Sequence, residues 1–195
     1  MSNHFFGMIS RMKYINRWGL MKSSQKENLS EHALETAIIA HALAVIENTR
    51  FGGKIDENRI AVLALYHDTS EILTGDLPTP IKYYNPKIKS AYKEIENISR
   101  EKLLSYLPDD LKPKYKDILF YESNEDNNKV KDIIKAADKI SALIKCIEEE
   151  KSGNREFLKA YEMLFNTIQS FDMPCVKVFL EEFLPSYRLT LDEQK

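Results

Sequence analysis

Six glycines in 195 residues leave little material for the tight turns of a multi-stranded sheet. Cysteine is almost as scarce. Cys146 and Cys175 are too few for a disulfide framework or a zinc knuckle, which suits a reducing compartment, so a cytoplasmic location is expected. Charge of one sign is also missing: 28 Lys and Arg face 30 Asp and Glu, a net of -2. No overall field therefore draws the protein toward a nucleic acid polymer or an anionic membrane, and any anion recognition has to be local. No apolar run approaches the roughly 20 residues that span a bilayer; the longest, within LETAIIAHALAVI, is broken by His41. The N-terminus lacks the uninterrupted apolar stretch and small-residue cleavage site of a secretion signal, so export is not expected. Residues 1 to 26 contain no acidic side chain but carry Arg11, Lys13, Arg17, Lys22 and Lys26. A transit-like segment, a solvated face and an anion-facing wall are all compatible with that stretch.

What is present is helical periodicity along the whole chain. FFGMISRMKYI has amphipathic spacing, and SEHALETAIIAHALAVIEN follows with Ser30 as a plausible N-cap. Gly52-Gly53 breaks the pattern before DENRIAVLALYHDTSEIL, which Asp56 would cap. Asn85-Pro86 opens a long charged helix through Leu104, with proline in its first turn. Pro108 and Pro113 bound a short irregular element. A helix from about Asn128 to Glu150 ends near Gly153, a natural C-cap residue, and NREFLKAYEMLFNTIQSF and PCVKVFLEEFL add two more apolar-periodic segments. With 43% hydrophobic residues and no repeat or low-complexity linker, the expectation is one all-α domain over residues 1–195, an orthogonal or bundle-like array.

One stretch interrupts that pattern with chemistry. In ALYHDTSEILTGDLPTP an apolar run ends on adjacent His67 and Asp68, then Glu71, then a loop with Asp76 between Gly75 and two prolines. If the helix continues, His67 and Glu71 lie one above the other and Asp68 neighbours Glu71. An imidazole beside a carboxylate is a good ligand pair for Mn²⁺, Co²⁺, Fe²⁺ or Zn²⁺. Two ligands do not make a site, and a lone His-Asp pair is more often a surface pair. His32, near the start of the preceding helix, and Asp138, inside the apolar run IIKAADKISALIKCI, are the candidates to complete it. Ala136, Ala137 and Ala142 beside Asp138 would let other helices approach closely.

His32, then His67-Asp68, then Asp138 about seventy residues later resembles the H...HD...D signature of the HD-domain metal-dependent phosphohydrolases. The blocks NRWGLM, ENLSEHALE, YHDTSEILTGDLPTP, KAADKISALIKC and FLPSYRLTLDE are similar to those of bacterial 5'-deoxynucleotidases of the YfbR type. That resemblance covers nearly the whole chain and is weakest between Ser105 and Asn128. It implies a helical HD fold, a homodimer, and hydrolysis of deoxyribonucleoside 5'-monophosphates with one divalent ion of the Co, Mn, Fe or Zn class. His32, His67, Asp68 and Asp138 would hold the ion. His41 stands nine residues after His32, about half a turn off its face, and no histidine follows His67, so a mononuclear site is expected.

A phosphomonoester resists hydrolysis unless an enzyme supplies an activated nucleophile, charge neutralisation and leaving-group help. Arg17 can match phosphate oxygens with a permanently charged fork. Glu71 is placed to orient water or exchange a proton with the leaving oxygen, and Asp76 could do that work or bind the sugar. By resemblance Arg17 and Trp18 line the substrate pocket, with Trp18 a wall against a 2'-hydroxyl. Leu77, Pro78 and Thr79, in a loop freed by Gly75 and stiffened by proline, would present backbone groups to the nucleoside. The full set of expected substrate contacts adds His32, Asp68, Asp76 and Asp138. Competing functions are an HD hydrolase of an alarmone or a nucleoside triphosphate, for which longer basic pocket segments are missing, and a non-catalytic helical module with a structural metal. A cyclic dinucleotide phosphodiesterase is disfavoured because no GYP tripeptide occurs.

Overall fold

Helices alone build the fold. The computed structural model describes residues 3–82, 84–124 and 127–195, without the side chain of Thr79. Among these residues the helices are α1 (Phe5–Ile9), α2 (Leu29–Phe51), α3 (Glu57–Leu65), α4 (Glu71–Thr74), α5 (Thr79–Lys82), α6 (Pro86–Ser105), α7 (Lys112–Leu119), α8 (Asn128–Lys151), α9 (Leu158–Gln169) and α10 (Pro174–Val178), with short 3-10 turns and a π-helical turn at Phe179–Phe183 between and after them. No strand forms among them, and the one extended pairing is an isolated antiparallel bridge between Asn16 and Asn28.

Local chemistry sets the boundaries, with corrections to the sequence reading. Asn28, not Ser30, caps α2. Its side chain accepts from the backbone N–H groups of Ser30 and Glu31 at 3.0 and 3.1 Å, and Glu31 accepts from the Asn28 N–H at 2.9 Å, a reciprocal capping box. Gly52, at φ 70°, ends α2 in the left-handed region that suits glycine. Asp56 and Asn85 cap α3 and α6 as expected. The stretch from Pro108 to Leu111 is an irregular turn, as expected, and α7 begins at Lys112 with Pro113 in its first turn, where its missing N–H costs nothing.

The larger correction concerns the end of α3, which stops at Leu65 rather than running on to residue 73. From Tyr66 to Ser70 the chain turns through three-residue hydrogen bonds, including Thr69 N–H to Tyr66 O at 3.3 Å and Glu71 N–H to Asp68 O at 2.9 Å. Side chains stabilise the break: the Thr69 hydroxyl donates to Tyr66 O at 2.9 Å and His67 Nδ1 donates to Ala64 O at 2.7 Å. These groups take carbonyls that a continuing helix would have used. His67 and Glu71 therefore do not stack one turn apart.

The core lies where α2 packs on α3 and α8, with α9 and α10 closing the far side. Ala37, Ala40, Ala44, Ala64, Ala136 and Ala137 are all buried there beside Leu43, Leu63, Ile140 and Leu143. Small side chains let the three axes approach closely, and each larger aliphatic residue contributes about 1.5–3 kcal/mol of burial. At 23 residues α2 is, contrary to the sequence expectation, apolar and long enough to cross a membrane by length and composition, yet 56% of that window is buried in the fold.

A second device fixes the loop before α2. Glu149, fully buried on α8, accepts from the backbone of Ser24 at 2.7 Å and from Asn154 Nδ2 at 2.7 Å, while Lys145 Nζ reaches Glu149 at 2.7 Å and Gln25 O at 2.7 Å. Removing one partner of such a pair leaves an uncompensated buried charge. Lys145→Met should therefore cost about 3 kcal/mol in urea unfolding, the low end of that class because the amide donors remain. A loss well under 1 kcal/mol would reduce the pair to the value of a surface bridge.

Candidate functional site

Three helical segments deliver side chains to one corner beside the core. His32 comes from the first turns of α2, His67 and Asp68 from the turn that ends α3, and Asp138 from the middle of α8. Each offers one ligand atom, and these atoms all lie within 4.8 Å of one another. His32 Nε2 is 3.1 Å from Asp138 Oδ1 and 3.6 Å from Asp68 Oδ2; His67 Nε2 is 3.0 Å from Asp68 Oδ2. The break after Leu65 makes this possible, because it swings His67 and Asp68 together toward α2 and α8. His41 does not join the group.

Hydrogen bonds on the outer side fix the tautomers. His67 Nδ1 must carry its proton to donate to Ala64 O, so in the neutral ring Nε2 presents its lone pair; that nitrogen is buried and has no hydrogen-bond partner, despite its closeness to Asp68. In that form two electron pairs face each other at 3.0 Å, a contact that a cation between them relieves. On the other ring, the Ser141 hydroxyl donates to Glu35 Oε2 at 2.7 Å, which leaves its oxygen to accept from His32 Nδ1 at 3.0 Å. His32 Nε2 therefore also turns a lone pair inward. Imidazoles tethered through the far nitrogen and carboxylates converging on one point are the donor set of a borderline divalent ion, and the residues fit such an ion.

The electrostatics agree with the geometry. Burial, and then the Arg17 charge, push His32 down to about 4, so it stays neutral near neutral pH. Burial alone would lower His67, but the Asp68 and Asp138 carboxylates raise it. Burial would likewise raise both carboxyls, yet His67 holds Asp68, and Lys139 with His32 holds Asp138, well below the usual carboxylate range. The corner thus favours positive charge.

Around it stand the other expected residues. Arg17 is close enough to Asp138, Asp68 and Asp76 to feel all three charges. Burial raises the Asp76 carboxyl, and Arg17 and the backbone N–H of Trp18 act against that rise. Burial first, then Asp68 and Asp76, push Glu71 up to about 9 against Lys82 and Arg17. Lys82 Nζ, held by Glu96 at 2.8 Å, lies 3.7 Å from Glu71. Gly75 adopts φ 73°, as its place before Asp76 suggested, and Leu77 and Pro78 are half-buried in the following loop. Thr79 begins α5, and its side chain lies outside the described residues.

Sequence reasoning did not find Glu27, Glu35, Lys82 or Ser141. A signal existed for two of them: Glu35 and Ser141 each follow a ligand by three residues on its own helix, where side chains share a face. Nothing local marks Glu27 or Lys82.

The family model for "5'-deoxynucleotidase YfbR-like" proteins matches residues 4–187. A 5'-deoxynucleotidase of Vibrio parahaemolyticus is 49% identical over 191 residues, 98% of this chain and 97% of its own, and one of Yersinia pseudotuberculosis is 47% identical over 193 residues, 98% and 96%. Among solved structures, an HD-domain phosphohydrolase from Listeria innocua superposes with a TM-score of 0.83 at 26% identity, covering 96% of this chain and 90% of that one. A cyanophage S-2L HD phosphohydrolase bound to dA and one catalytic Zn²⁺ ion shares the fold, with a TM-score of 0.66 at 18% identity over 94% and 96% of the chains.

The serine that orients His32 gives a direct test. Ser141→Ala should weaken divalent-ion binding by about 10–100-fold in a chelator competition, whereas His41→Ala should leave it unchanged. Equal affinities for Ser141→Ala and the unaltered protein would show that packing alone holds the ring.

Proposed function

The chain belongs to the YfbR-like 5'-deoxynucleotidase family, and from that premise we propose that it hydrolyses deoxyribonucleoside 5'-monophosphates to deoxyribonucleoside and phosphate. The observation that carries the reading is the inward-facing set of His32, His67, Asp68 and Asp138 within reach of the Arg17 charge. One divalent ion of the Co, Mn, Fe or Zn class is assigned to those four residues. When bound, such an ion supplies Lewis acidity and lowers the pKa of a water toward about 7.

The remaining roles belong to the chain's own groups. Burial would lower Arg17, but the surrounding carboxylates outweigh it, so its guanidinium stays charged and offers paired N–H donors to phosphate oxygens. His32, Asp68 and Asp138 line the same corner and bring the phosphate against that fork. Trp18, fixed through its backbone to Asp76, forms the wall beside the sugar, and Asp76 accepts from the 3' edge. Leu77, Pro78 and Thr79 border the nucleoside with backbone groups. Glu71 donates the proton to the leaving 5' oxygen: a carboxyl pushed up to about 9 keeps its proton at neutral pH, as a general acid requires. Lys82 steadies that side chain. The proposal takes residues 1–195 as one unit, acting as a homodimer in the cytoplasm, in keeping with the family resemblance.

The decisive assay measures phosphate release from matched ribo- and deoxyribonucleotides with each of several divalent ions after chelation. Release from deoxyribonucleoside monophosphates is expected; pyrophosphate or triphosphate release would replace this reading with hydrolysis of a polyphosphate. Steric exclusion discriminates more strongly than a missing partner, so in Trp18→Ala the ratio of kcat/KM for a deoxyribonucleotide over its ribo counterpart should fall toward one. A constant ratio with both rates reduced would leave Trp18 only a packing role.

Glu71 generates a separate expectation. Glu71→Gln should lower kcat by about 10²–10⁴ with bound metal unchanged. Because the protonated carboxyl is the working form, kcat of the unaltered enzyme should decline as pH rises through its titration. A Gln variant of near-normal kcat would transfer the proton role to Asp76.

A further inference from the structure

Trp18 holds a backbone conformation that a tryptophan rarely adopts. Its φ is 59°, in the left-handed region, and Asp172 is the one other non-glycine there among the described residues. Strain of that kind persists only where the surroundings over-determine it, and it gathers at functional sites. What over-determines Trp18 is visible at each of its atoms. Its N–H interacts with the Asp76 carboxylate, its carbonyl accepts from Met21 N–H at 2.8 Å, and its ring packs T-shaped on the buried Phe157 at 5.2 Å between centroids. The remaining polar atom, indole Nε1, donates to Glu27 Oε2 at 2.6 Å.

Glu27 does more than receive that one bond. Its other oxygen lies 3.4 Å from Arg17 Nη1, and its backbone carbonyl accepts from Arg17 N–H at 3.0 Å. One buried residue therefore grips two adjacent side chains and the peptide that leads into them. Glu27 is itself fixed by the bridge from Asn16 to Asn28 and by Leu29 N–H donating to Ile15 O at 2.9 Å, while Glu149 and Lys145 pin Ser24 and Gln25 to α8.

The charge makes this costly. A carboxylate beside Arg17 competes with phosphate for the same guanidinium, and one placed 3.7 Å from His32 Nδ1 adds negative charge next to a corner where a phosphate must come. Binding strength alone would favour a neutral residue. Geometry is what the carboxylate supplies: two acceptors in one plane, one for the indole and one for the guanidinium, set the angle between wall and fork.

We propose that Glu27 is a positioning residue that locks Arg17 and Trp18 into one recognition unit and so determines the preference for a deoxyribose 5'-phosphate. This rests on the assignment of Arg17 to phosphate and Trp18 to the sugar. Trp18 is the single tryptophan of the chain, so indole emission reports on the grip whatever the substrate proves to be.

The experiment compares Glu27→Ala, Glu27→Gln and Glu27→Asp with the unaltered enzyme and with Trp18→Ala, all loaded with the same divalent ion. In Glu27→Ala, emission should shift to the red with lower anisotropy, and the deoxy-to-ribo ratio of kcat/KM should drop by about 10-fold or more, with metal stoichiometry retained. Glu27→Gln keeps an acceptor for the indole but turns an amide toward Arg17; it should hold emission closer to the unaltered protein while raising KM. Glu27→Asp should recover part of the ratio. The proposal is overturned if Trp18→Ala collapses the ratio while both Glu27→Ala and Glu27→Gln leave ratio, KM and emission as they were. It is equally overturned if these variants only lower the unfolding temperature. Should Glu27→Ala not fold, the KM and emission of Glu27→Gln decide. If Trp18→Ala leaves the ratio intact, the sugar assignment fails, and emission still decides whether Glu27 holds the indole.

Discussion

Two carboxylates and two imidazole lone pairs converge on one partly buried point, and the rest of the molecule is arranged around the cost of that convergence. His32 Nε2 and His67 Nε2 face Asp138 and Asp68 at 3.1 and 3.0 Å, and the buried His67 Nε2 has no hydrogen-bond partner. In a medium of low effective dielectric such a cluster is tolerable only with positive charge at its centre. The tethers behind the rings remove the alternative in which the imidazoles turn away. Ala64 O holds one ring and the Ser141–Glu35 pair the other, so the inward lone pairs are imposed by the fold.

That demand explains features of the architecture which packing alone would not require. A helix running straight from Asp56 would be the simplest way to bury Ile60, Leu63 and Ala64 against α2. Instead it breaks after Leu65, and the side chains of Thr69 and His67 take over the freed carbonyls. The break aims His67 and Asp68 at α2 and α8, and the alanines on those helices keep the partners close enough to complete the set. Burial of the surrounding aliphatic residues supplies the stability against which such a polar corner is set.

The sequence made a good part of this legible. Scarce glycine and continuous 3.6-residue periodicity pointed to an all-helical chain, and the Asp56, Asn85 and Gly52 boundaries followed from capping chemistry. The meeting of His32, His67, Asp68 and Asp138 was suggested by a pattern whose members are far apart in the chain. Two local rules misled. Ser30 is a good cap type, but Asn28 stands three residues before Glu31 and closes a reciprocal box that Ser30 has no acid to make. The apolar run into His67 reads as uninterrupted helix because periodicity carries no information about a threonine or histidine turning back on its own carbonyls. Glu27 was illegible for a deeper reason: its partners come from a loop whose shape depends on Glu149 of α8, more than a hundred residues away.

Charge in this corner is distributed in alternation, and the alternation separates the roles. Arg17, which keeps its charge, leans on Glu27; Lys82, bound to Glu96, leans on Glu71. The two carboxyls respond differently to their neighbours than Asp68 and Asp138 do. Burial, then Asp68 and Asp76, raise Glu71 to about 9 against Lys82 and Arg17, whereas His67, His32 and Lys139 keep Asp68 and Asp138 ionised. Acids that share one cleft are thereby kept in different protonation states by burial and by the charges around each. A cation entering among His32, His67, Asp68 and Asp138 would neutralise Asp68, one of the two charges that add to burial in raising Glu71, loosening its hold on the proton. Occupation of the cation corner and the readiness of Glu71 to release its proton are therefore coupled through Asp68.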